Sequence, residues 1–298
     1  MPSFNISTES FLSLDAHSEL IGHASFNHFS NNFWGEIKTS NDTWKTTLEN
    51  RLNLVDDALF KVIEDNHLSP TIAMDVAISS GATTLDWYRA FMRHGMDVRI
   101  IAIDRVVHCY VVRLNRWLST LIEQNGHVLR FDISGRGYRP WRNRRDYFTG
   151  AALPRILMEQ YIKWQLRKRG LHFPIRSSGT STSLTSGPYQ MIVPELRNHP
   201  QISVVEEDVL TSSDNPYPAV DVIRLANVLQ HGYFNDGQIQ TIVKKMHSRC
   251  RLGGLIVVCR NTSEGLEGSI FSTLPDGRFN LESRLGAGSE VEPFFLRS

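Results

Sequence analysis

The sequence predicts an α/β fold in which a doubly wound, mostly parallel sheet ends in an antiparallel hairpin. Short apolar runs typical of buried strands alternate with segments of helical spacing over much of the chain. Near the end, two strand-like runs are joined by Pro275-Asp276-Gly277, a tight-turn sequence. With 298 residues, of which 41% are hydrophobic and 21% charged, the chain is large enough to bury such a sheet.

The predicted elements begin with a helix after a polar, loosely ordered start. Apolar residues from Trp44 to Ile63 recur every three or four positions, and an N-cap is expected among residues 40–43. Two more helices are predicted, over residues 84–94 and after an N-cap at Asp236. Buried strands and the hairpin strands are predicted at residues 71–78, 97–104, 201–209, 218–228, 253–260, 269–274 and 278–285.

The middle of the chain interrupts this alternation. Residues 106–123 have helical spacing, 127–133 resemble a strand, 151–169 form an amphipathic helix, and 177–187 are a low-complexity, flexible linker. We therefore expect an insertion between the second and third strands, which serves as a substrate-facing lid. The expected organisation is a helical N-terminal cap at 1–66, a core formed by 67–105 and 188–298, and the insertion at 106–187.

Composition excludes several classes of protein. The net charge of +1 argues against a dedicated nucleic-acid coat, and no apolar run approaches the length of a membrane-spanning helix. The N-terminus does not resemble a signal peptide. Three cysteines without CxxC spacing fit a reducing cytoplasm, and no clustered His and Cys residues suggest a metal. The oligomeric state is left open.

Ligands of open parallel sheets bind at the carboxyl ends of the strands, so the end of the first predicted strand is informative. There, Asp75 to Gly81 contains small residues that allow a sharp turn before a helix. The segment lacks the lysine of a P-loop. It also lacks the G-x-G-x-x-G of a dinucleotide fingerprint, because Ala77 and Ser79 replace expected glycines.

Polar residues also follow the next three strands. Asp104 ends the second strand and is placed to accept both hydroxyls of a ribose; the alternative is a helix N-cap or a surface acid. Asp208-Val209 follows the third strand, where an acid and an apolar residue could hold an adenine or form a solvated loop. Asn227 follows the fourth strand and is a candidate for lining the same pocket.

In this order the pieces resemble the class I S-adenosylmethionine-dependent methyltransferases. In that family the first strand ends in D-x-G-x-G-x-G, which Asp75 to Gly81 represents here, and an acid such as Asp104 ends the second strand. An acid-apolar pair like Asp208-Val209 follows the third strand, and a turn like Gly253-Gly254 enters the fifth. The family's sheet also ends in antiparallel sixth and seventh strands, and the hairpin predicted near the end of this chain would supply them.

The resemblance covers residues 67–105 and 188–298. It implies a Rossmann-like fold with S-adenosylmethionine as cofactor, S-adenosylhomocysteine as product and no metal. Ala77 and Ser79 depart from the family pattern, since their side chains would crowd the methionine end of the cofactor. The implied cofactor-binding residues are Asp75, Ala77, Ser79, Gly81, Asp104, Asp208, Val209 and Asn227.

Methyl transfer depends mainly on alignment and needs a base only when the attacking atom is protonated. His231 and Tyr233, after the fourth strand, are the base candidates, although a loop histidine is the simpler interpretation of His231. The Asn/Asp-Pro-Pro-aromatic signature of amino-methylating nucleic-acid enzymes is absent here, which argues against an adenine-N6 methylase.

The insertion contains a cluster of arginines and aromatic rings between residues 135 and 147. Three interpretations stay open: a solvated basic loop, a site for an anionic substrate or lipid headgroup, and a contact to nucleic-acid phosphates. The balanced net charge weakens the last interpretation. The candidate substrate residues are Arg136, Arg139, Trp141, Arg144 and Arg145.

The leading hypothesis is a cytoplasmic methyltransferase acting on a small or anionic acceptor. The alternative is a non-catalytic cofactor-binding or regulatory protein on the same scaffold, because a fold alone does not establish activity. A nicotinamide-dependent oxidoreductase is a third reading, which the missing fingerprint disfavours. A fourth is a peripheral membrane binder that acts through the arginine cluster and the helix at 151–169.

Overall fold

A computed structural model describes residues 6–45, 50–175, 184–212 and 217–297. The chain divides into two compact units, one formed by residues 1–47 and 106–197 and the other by 48–105 and 198–298. The first 47 residues thus group with the segment that we expected to be an insertion. Most of the predicted linker at 177–187 lies outside the described residues.

The described elements are named in chain order. The helices are α1 (Thr8–Leu12), α2 (Ala24–Glu36), α3 (Asn53–Asp65), α4 (Ala82–Arg93), α5 (Arg144–Phe148), α6 (Ala152–Lys168), α7 (Asp236–Arg249) and α8 (Glu292–Leu296). The strands are β1 (Ile72–Val76), β2 (Arg99–Asp104), β3 (His108–Arg113), β4 (Leu118–Glu123), β5 (Val128–Ile133), β6 (Arg136–Tyr138), β7 (Thr185–Gln190), β8 (Ile202–Glu206), β9 (Val220–Ala226), β10 (Cys250–Thr262), β11 (Gly265–Thr273) and β12 (Phe279–Leu285).

The second unit contains a seven-stranded sheet in the order β12-β11-β10-β9-β1-β2-β8. The five strands from β10 to β8 are parallel, whereas β11 is antiparallel to β10 and β12 to β11. Counted along this unit, the parallel strands follow the order 3-2-1-4-5 of a doubly wound sheet. The predicted Rossmann-like α/β fold with its antiparallel C-terminal hairpin is confirmed.

The two faces of this sheet are covered by different helices. Met74 and Val76 of β1 belong to a buried apolar cluster that includes Ile239 and Val243 of α7. Side chains alternate along a strand, so Asp75 lies on the other face, where it accepts a hydrogen bond from Thr84 of α4. The sheet is therefore packed on both sides, as parallel sheets require.

Two helix starts in the sequence-based prediction were wrong. The helix expected from residues 40–43 begins at Asn53, and Trp44 instead forms an isolated antiparallel bridge with Lys38. Asn235, not Asp236, caps α7. The Asn235 side chain accepts the Gln238 N–H, and the Gln238 side chain accepts the Asn235 N–H, which completes a capping box.

The first unit contains a five-stranded antiparallel sheet in the order β6-β5-β4-β3-β7. The helix predicted over residues 106–123 was wrong, because this segment forms the β3–β4 hairpin. Both faces of β3 are buried: Cys109 and Val111 pack among the aromatic side chains of α1 and α2, whereas Tyr110 and Val112 pack with α6. A strand buried on both faces is continuously apolar, so its sequence also satisfies helical spacing.

The helices of this unit pack on opposite sides of the sheet. Phe11, Phe33 and Trp34 from α1 and α2 form an aromatic cluster with ring centroids 4.5 to 5.7 Å apart. On the other side, Ile162 and Leu166 of α6 are buried against β3 to β5. The helices in the described part of the chain are all too short or too polar to cross a bilayer.

Candidate functional site

The candidate site is the point in the second unit where the order of the strands reverses. β1 lies between β2 and β9, so the connections from β1 and β9 leave toward opposite halves of the sheet. Ligands of doubly wound sheets bind in the crevice outside the carboxyl ends of the strands at such a point. Residues 77–81 after β1, Asp104 at the end of β2 and Asn227 after β9 occupy these ends.

The loop after β1 has a left-handed backbone at every second residue. The φ angles are 61° at Ala77, 62° at Ser79 and 81° at Gly81. For a residue with a Cβ atom this conformation costs about 1–2 kcal/mol, which is why glycines are expected there. The chain therefore keeps the backbone shape of a glycine-rich turn at two positions that are not glycine.

Hydrogen bonds to β2 hold this strained loop in place. The Ala77 N–H donates to the carbonyl oxygen of Ile103 at 2.7 Å, and the Ser79 N–H donates to Oδ2 of Asp104 at 2.7 Å. Helix α4 begins at Ala82, directly after Gly81, so its first N–H groups lie at the same strand ends. The loop, the acid of β2 and the helix N-terminus form one connected arrangement.

Asp75 is engaged inside the protein. Its side chain is buried, with Oδ1 3.1 Å from Nε and Oδ2 2.7 Å from Nη2 of Arg224, and Oδ2 also accepts from Thr84 at 2.7 Å. Arg224 also pairs with Asp56 at 3.3 Å and lies over the ring of Trp87. Asp75 therefore supports the base of the loop through a buried ion pair.

Within this cluster, burial has the largest effect on the pKa of Asp56. Desolvation raises the pKa of the Asp56 carboxyl to about 6, although the positive charge of Arg224 opposes the rise. For Arg224, burial alone would lower the pKa, but the charges of Asp75 and Asp56 outweigh burial and raise it. Sequence reasoning missed Arg224 and Asp56, although an arginine within the apolar run of β9 was a signal for a buried acid beside it.

The residues after β8 contact neighbouring parts of the second unit. Oδ2 of Asp208 lies 3.3 Å from Nε of Arg105, and its Oδ1 accepts the Leu210 N–H at 3.0 Å. Val209 is buried in the apolar core. Glu207, one residue earlier, pairs with Arg249 at 2.8 Å. Burial would raise the pKa of Glu207, but hydrogen bonds from Tyr217, Ser212 and Arg249 lower it.

Two buried polar atoms near the reversal point have no hydrogen-bond partner among the described residues. They are Oγ of Ser80 and Nδ2 of Asn227. The backbone of Asn227 is also left-handed, with φ of 58°, and its Oδ1 accepts the Asn261 N–H at 2.7 Å. A ligand with hydrogen-bonding groups would satisfy such atoms. The amino-acid end of S-adenosylmethionine carries a carboxylate and an ammonium, so these residues fit that cofactor.

His231 and Tyr233 lie in the connection from β9 to α7, and both side chains are about half exposed. Nδ1 of His231 is 3.4 Å from Oδ1 of Asp236, and its backbone N–H donates to Glu290 at 2.9 Å. The imidazole therefore has one nitrogen directed to a carboxylate, which is the arrangement that orients a histidine base.

The arginine cluster belongs to the first unit. Arg139 lies over the ring of Trp141 and pairs with Asp146 at 3.0 Å, while the Trp141 indole N–H donates to the carbonyl oxygen of Glu36 at 2.7 Å. These side chains hold the segment together. The other candidate substrate residues, Arg136, Arg144 and Arg145, are exposed.

The described part of the chain contains no group of three or more His, Cys, Asp and Glu side chains that could hold a metal ion. Cys109, Cys250 and Cys259 are buried free thiols. Burial raises the pKa of the Cys250 and Cys259 thiols to about 12, so neither is a reactive thiolate near neutral pH.

No protein-family model matches the sequence, and no curated protein matches it. Among solved structures, N-methyltransferase NodS from Bradyrhizobium japonicum WM9 in complex with S-adenosyl-L-homocysteine is 12% identical, with a TM-score of 0.34 over 77% of this chain and 72% of that chain. Human N-acetylserotonin methyltransferase in complex with SAM is 13% identical, with a TM-score of 0.31 over 70% of this chain and 34% of that chain.

The cyclase SpnF is also similar, with 11% identity and a TM-score of 0.30 over 78% of this chain and 56% of that chain. This chain therefore spans less than two thirds of the human enzyme and of the cyclase. At these TM-scores the likenesses support no statement on function, and the fold follows from the strand order of the chain itself.

Proposed function

We propose that the protein is an S-adenosylmethionine-dependent methyltransferase. The observation that carries the proposal is the backbone of the loop after β1, which is left-handed at Ala77, Ser79 and Gly81 and is fastened to Asp104. These are the positions at which the resemblance to class I methyltransferases expects glycines and the acid of the second strand. The chain thus has the turn that the family pattern expects, although two of the expected glycines are absent.

The proposed pocket uses groups from four strand ends. Asp104 would accept hydrogen bonds from the ribose hydroxyls, and Asp208 with Val209 would contact the adenine. The backbone of residues 77–81 and Asn227 would hold the methionine end, where the unpartnered amide nitrogen supports this assignment. Asp75 contributes indirectly, because its ion pair with Arg224 fixes the residue from which the loop departs.

The bound cofactor would supply a methyl group on a sulfonium, which an acceptor atom attacks in line. The protein's task is then to align the acceptor and, if that atom carries a proton, to remove it. His231 is the proposed base and takes the proton at Nε2, since Nδ1 is directed to Asp236. Tyr233 is the second candidate for the base.

We also propose a small or anionic acceptor and a cytoplasmic location. The exposed Arg136, Arg144 and Arg145 support an anionic acceptor, with Arg139 and Trp141 as its structural support. Free thiols at all three cysteines support a reducing compartment.

Calorimetric titration with S-adenosylhomocysteine tests the proposal, with NADH as a parallel ligand. We expect micromolar affinity for the former and none for the latter. Absence of S-adenosylhomocysteine binding at millimolar concentration would refute the cofactor assignment. A reaction supplemented with cell extract and radiolabelled S-adenosylmethionine then tests for methyl transfer. Cofactor binding without methyl transfer would favour the non-catalytic alternative. The specific observation behind that alternative is that Ala77 and Ser79 stand where the loop is expected to have glycines.

A further inference from the structure

Helix α6 has two apolar faces, and one of them is exposed. Ile162 and Leu166 face the sheet and are buried. Opposite them runs a second set of large apolar side chains at helical spacing, which we name the outer stripe. Its members, with their exposed fractions, are Leu153 (62%), Leu157 (60%), Tyr161 (41%) and Trp164 (52%).

The preceding helix also has exposed aromatic side chains. In α5, which contacts α6, Tyr147 and Phe148 are 63% and 90% exposed. Single exposed apolar residues are normal on a protein surface, but four on one face of a helix, with two more on the adjoining helix, indicate a surface that binds something apolar. A helix whose second face were merely solvated would carry polar residues at these positions.

The surroundings of the outer stripe are strongly basic. Residues 136–169 contain ten Lys and Arg residues but two acids, Asp146 and Glu159. Both acids are neutralised by cations of the same segment: Asp146 by Arg139 and Arg155, and Glu159 by Arg142 and Lys163.

Of the other six cations, four are exposed and belong to α5 or α6 themselves. Arg144 and Arg145 precede the outer stripe, while Arg167 and Lys168 follow it. None of the four has a carboxylate partner among the residues that the structure describes. Lys168 lies 4.9 Å from the centre of the Trp164 ring, so a positive charge sits directly beside the apolar surface.

We propose that α5 and α6 form a docking surface for an anionic lipid bilayer. Exposed Leu, Trp and Tyr side chains flanked by unpaired Lys and Arg provide the two signals that interfacial helices combine, namely apolar burial at the headgroup boundary and attraction to acidic lipids. The core of a protein–protein interface is depleted of Lys, whereas Lys168 here contacts the aromatic part of the surface. The inference concerns the first unit and does not rest on the proposed function, although it assigns Arg144 and Arg145 to the bilayer in place of the acceptor.

Sedimentation with lipid vesicles tests this surface in the full-length protein. We expect binding to phosphatidylcholine vesicles that contain phosphatidylserine, weak binding to phosphatidylcholine alone, and weakening as salt rises. Leu157→Glu should abolish sedimentation. Arg144→Gln and Arg145→Gln should each weaken it about fivefold, the equivalent of about 1 kcal/mol per cation near an acidic surface.

Matched variants control for charge and for folding. Leu54→Glu changes a leucine of α3 that is 67% exposed, and Arg93→Gln changes an exposed arginine of α4. Both should sediment like the wild type, and circular dichroism should show that every variant is folded. The proposal is overturned if the wild type ignores phosphatidylserine vesicles at low salt. It is also overturned if Leu157→Glu binds phosphatidylserine vesicles as well as the wild type does. A third contrary result would be that the wild type does not bind vesicles and that Leu157→Glu dissociates an oligomer, because the surface would then join copies of this chain.

Discussion

The backbone N–H of Ser79 donates to Oδ2 of Asp104 over 2.7 Å, which joins the loop after β1 to the acid that ends β2. Ser79 is left-handed at this point, so the bond is one of the contacts that offset the cost of its conformation. In the proposed pocket Asp104 therefore has two roles: it holds the loop through the Ser79 N–H, and it accepts hydrogen bonds from the ribose hydroxyls.

Replacing the carboxylate of Asp104 tests its proposed ligand role. Asp104→Asn keeps an oxygen for the Ser79 N–H but loses the charge, so binding of S-adenosylhomocysteine should weaken by about 1.5–3 kcal/mol. Asp97→Asn is the matched control, because Asp97 is an exposed acid just before the opposite end of β2. Calorimetry should show an unchanged affinity for that control, and equal affinities for both variants would contradict the ribose assignment.

Glycine at position 77 should stabilise the protein. Ala77→Gly removes a left-handed alanine, and we expect the free energy of unfolding in urea to rise by about 1 kcal/mol. The same change within helix α3, Ala58→Gly, should lower it by about 1 kcal/mol because glycine disfavours helices. If both variants are destabilised alike, the backbone at Ala77 is not left-handed in solution.

Breaking the buried pair between Asp75 and Arg224 should be severe. Asp75→Asn leaves a buried guanidinium without its main counter-charge, and the free energy of unfolding should fall by about 3–5 kcal/mol. The exposed pair of Asp276 with Arg278 serves as the control, since Asp276→Asn should leave chemical denaturation nearly unchanged. A mild effect at Asp75 would mean that water reaches the pair.

The raised pKa of Asp56 predicts a pH dependence with a definite sign. The folded protein holds this proton up to about pH 6, whereas the unfolded chain releases it near 3.8. Between these values the folded state binds more protons, so the contribution of Asp56 to stability is present below pH 3.8 and is lost as pH rises to about 6.

Urea unfolding of the wild type and of Asp56→Asn at several pH values measures this effect. The stability of the wild type relative to the variant should fall with rising pH by up to about 3 kcal/mol, and then level off above about pH 6. A difference that grows with pH would show instead that Arg224 holds the carboxyl below its ordinary pKa.

Local pattern was enough to predict the strands of the second unit, because the parallel strands are apolar runs between turn residues and the last two strands flank a tight-turn sequence. It failed at residues 106–123, since β3 is buried by α1 and α2 on one face and by α6 on the other. It also could not assign Asp75 to a buried partner. Arg224 lies 149 positions away in the sequence, and only the pairing of β1 with β9 places the two side by side.

The Asp75–Arg224 pair also limits how this sequence can change over generations. Loss of either partner leaves a buried charge without a counter-charge. Replacement of both by well-packed apolar residues changes the stability little. The two positions should therefore covary: homologous chains should have either both Asp75 and Arg224 or neither of them. Such covariation between positions 75 and 224 would identify other chains that are built around the same salt bridge.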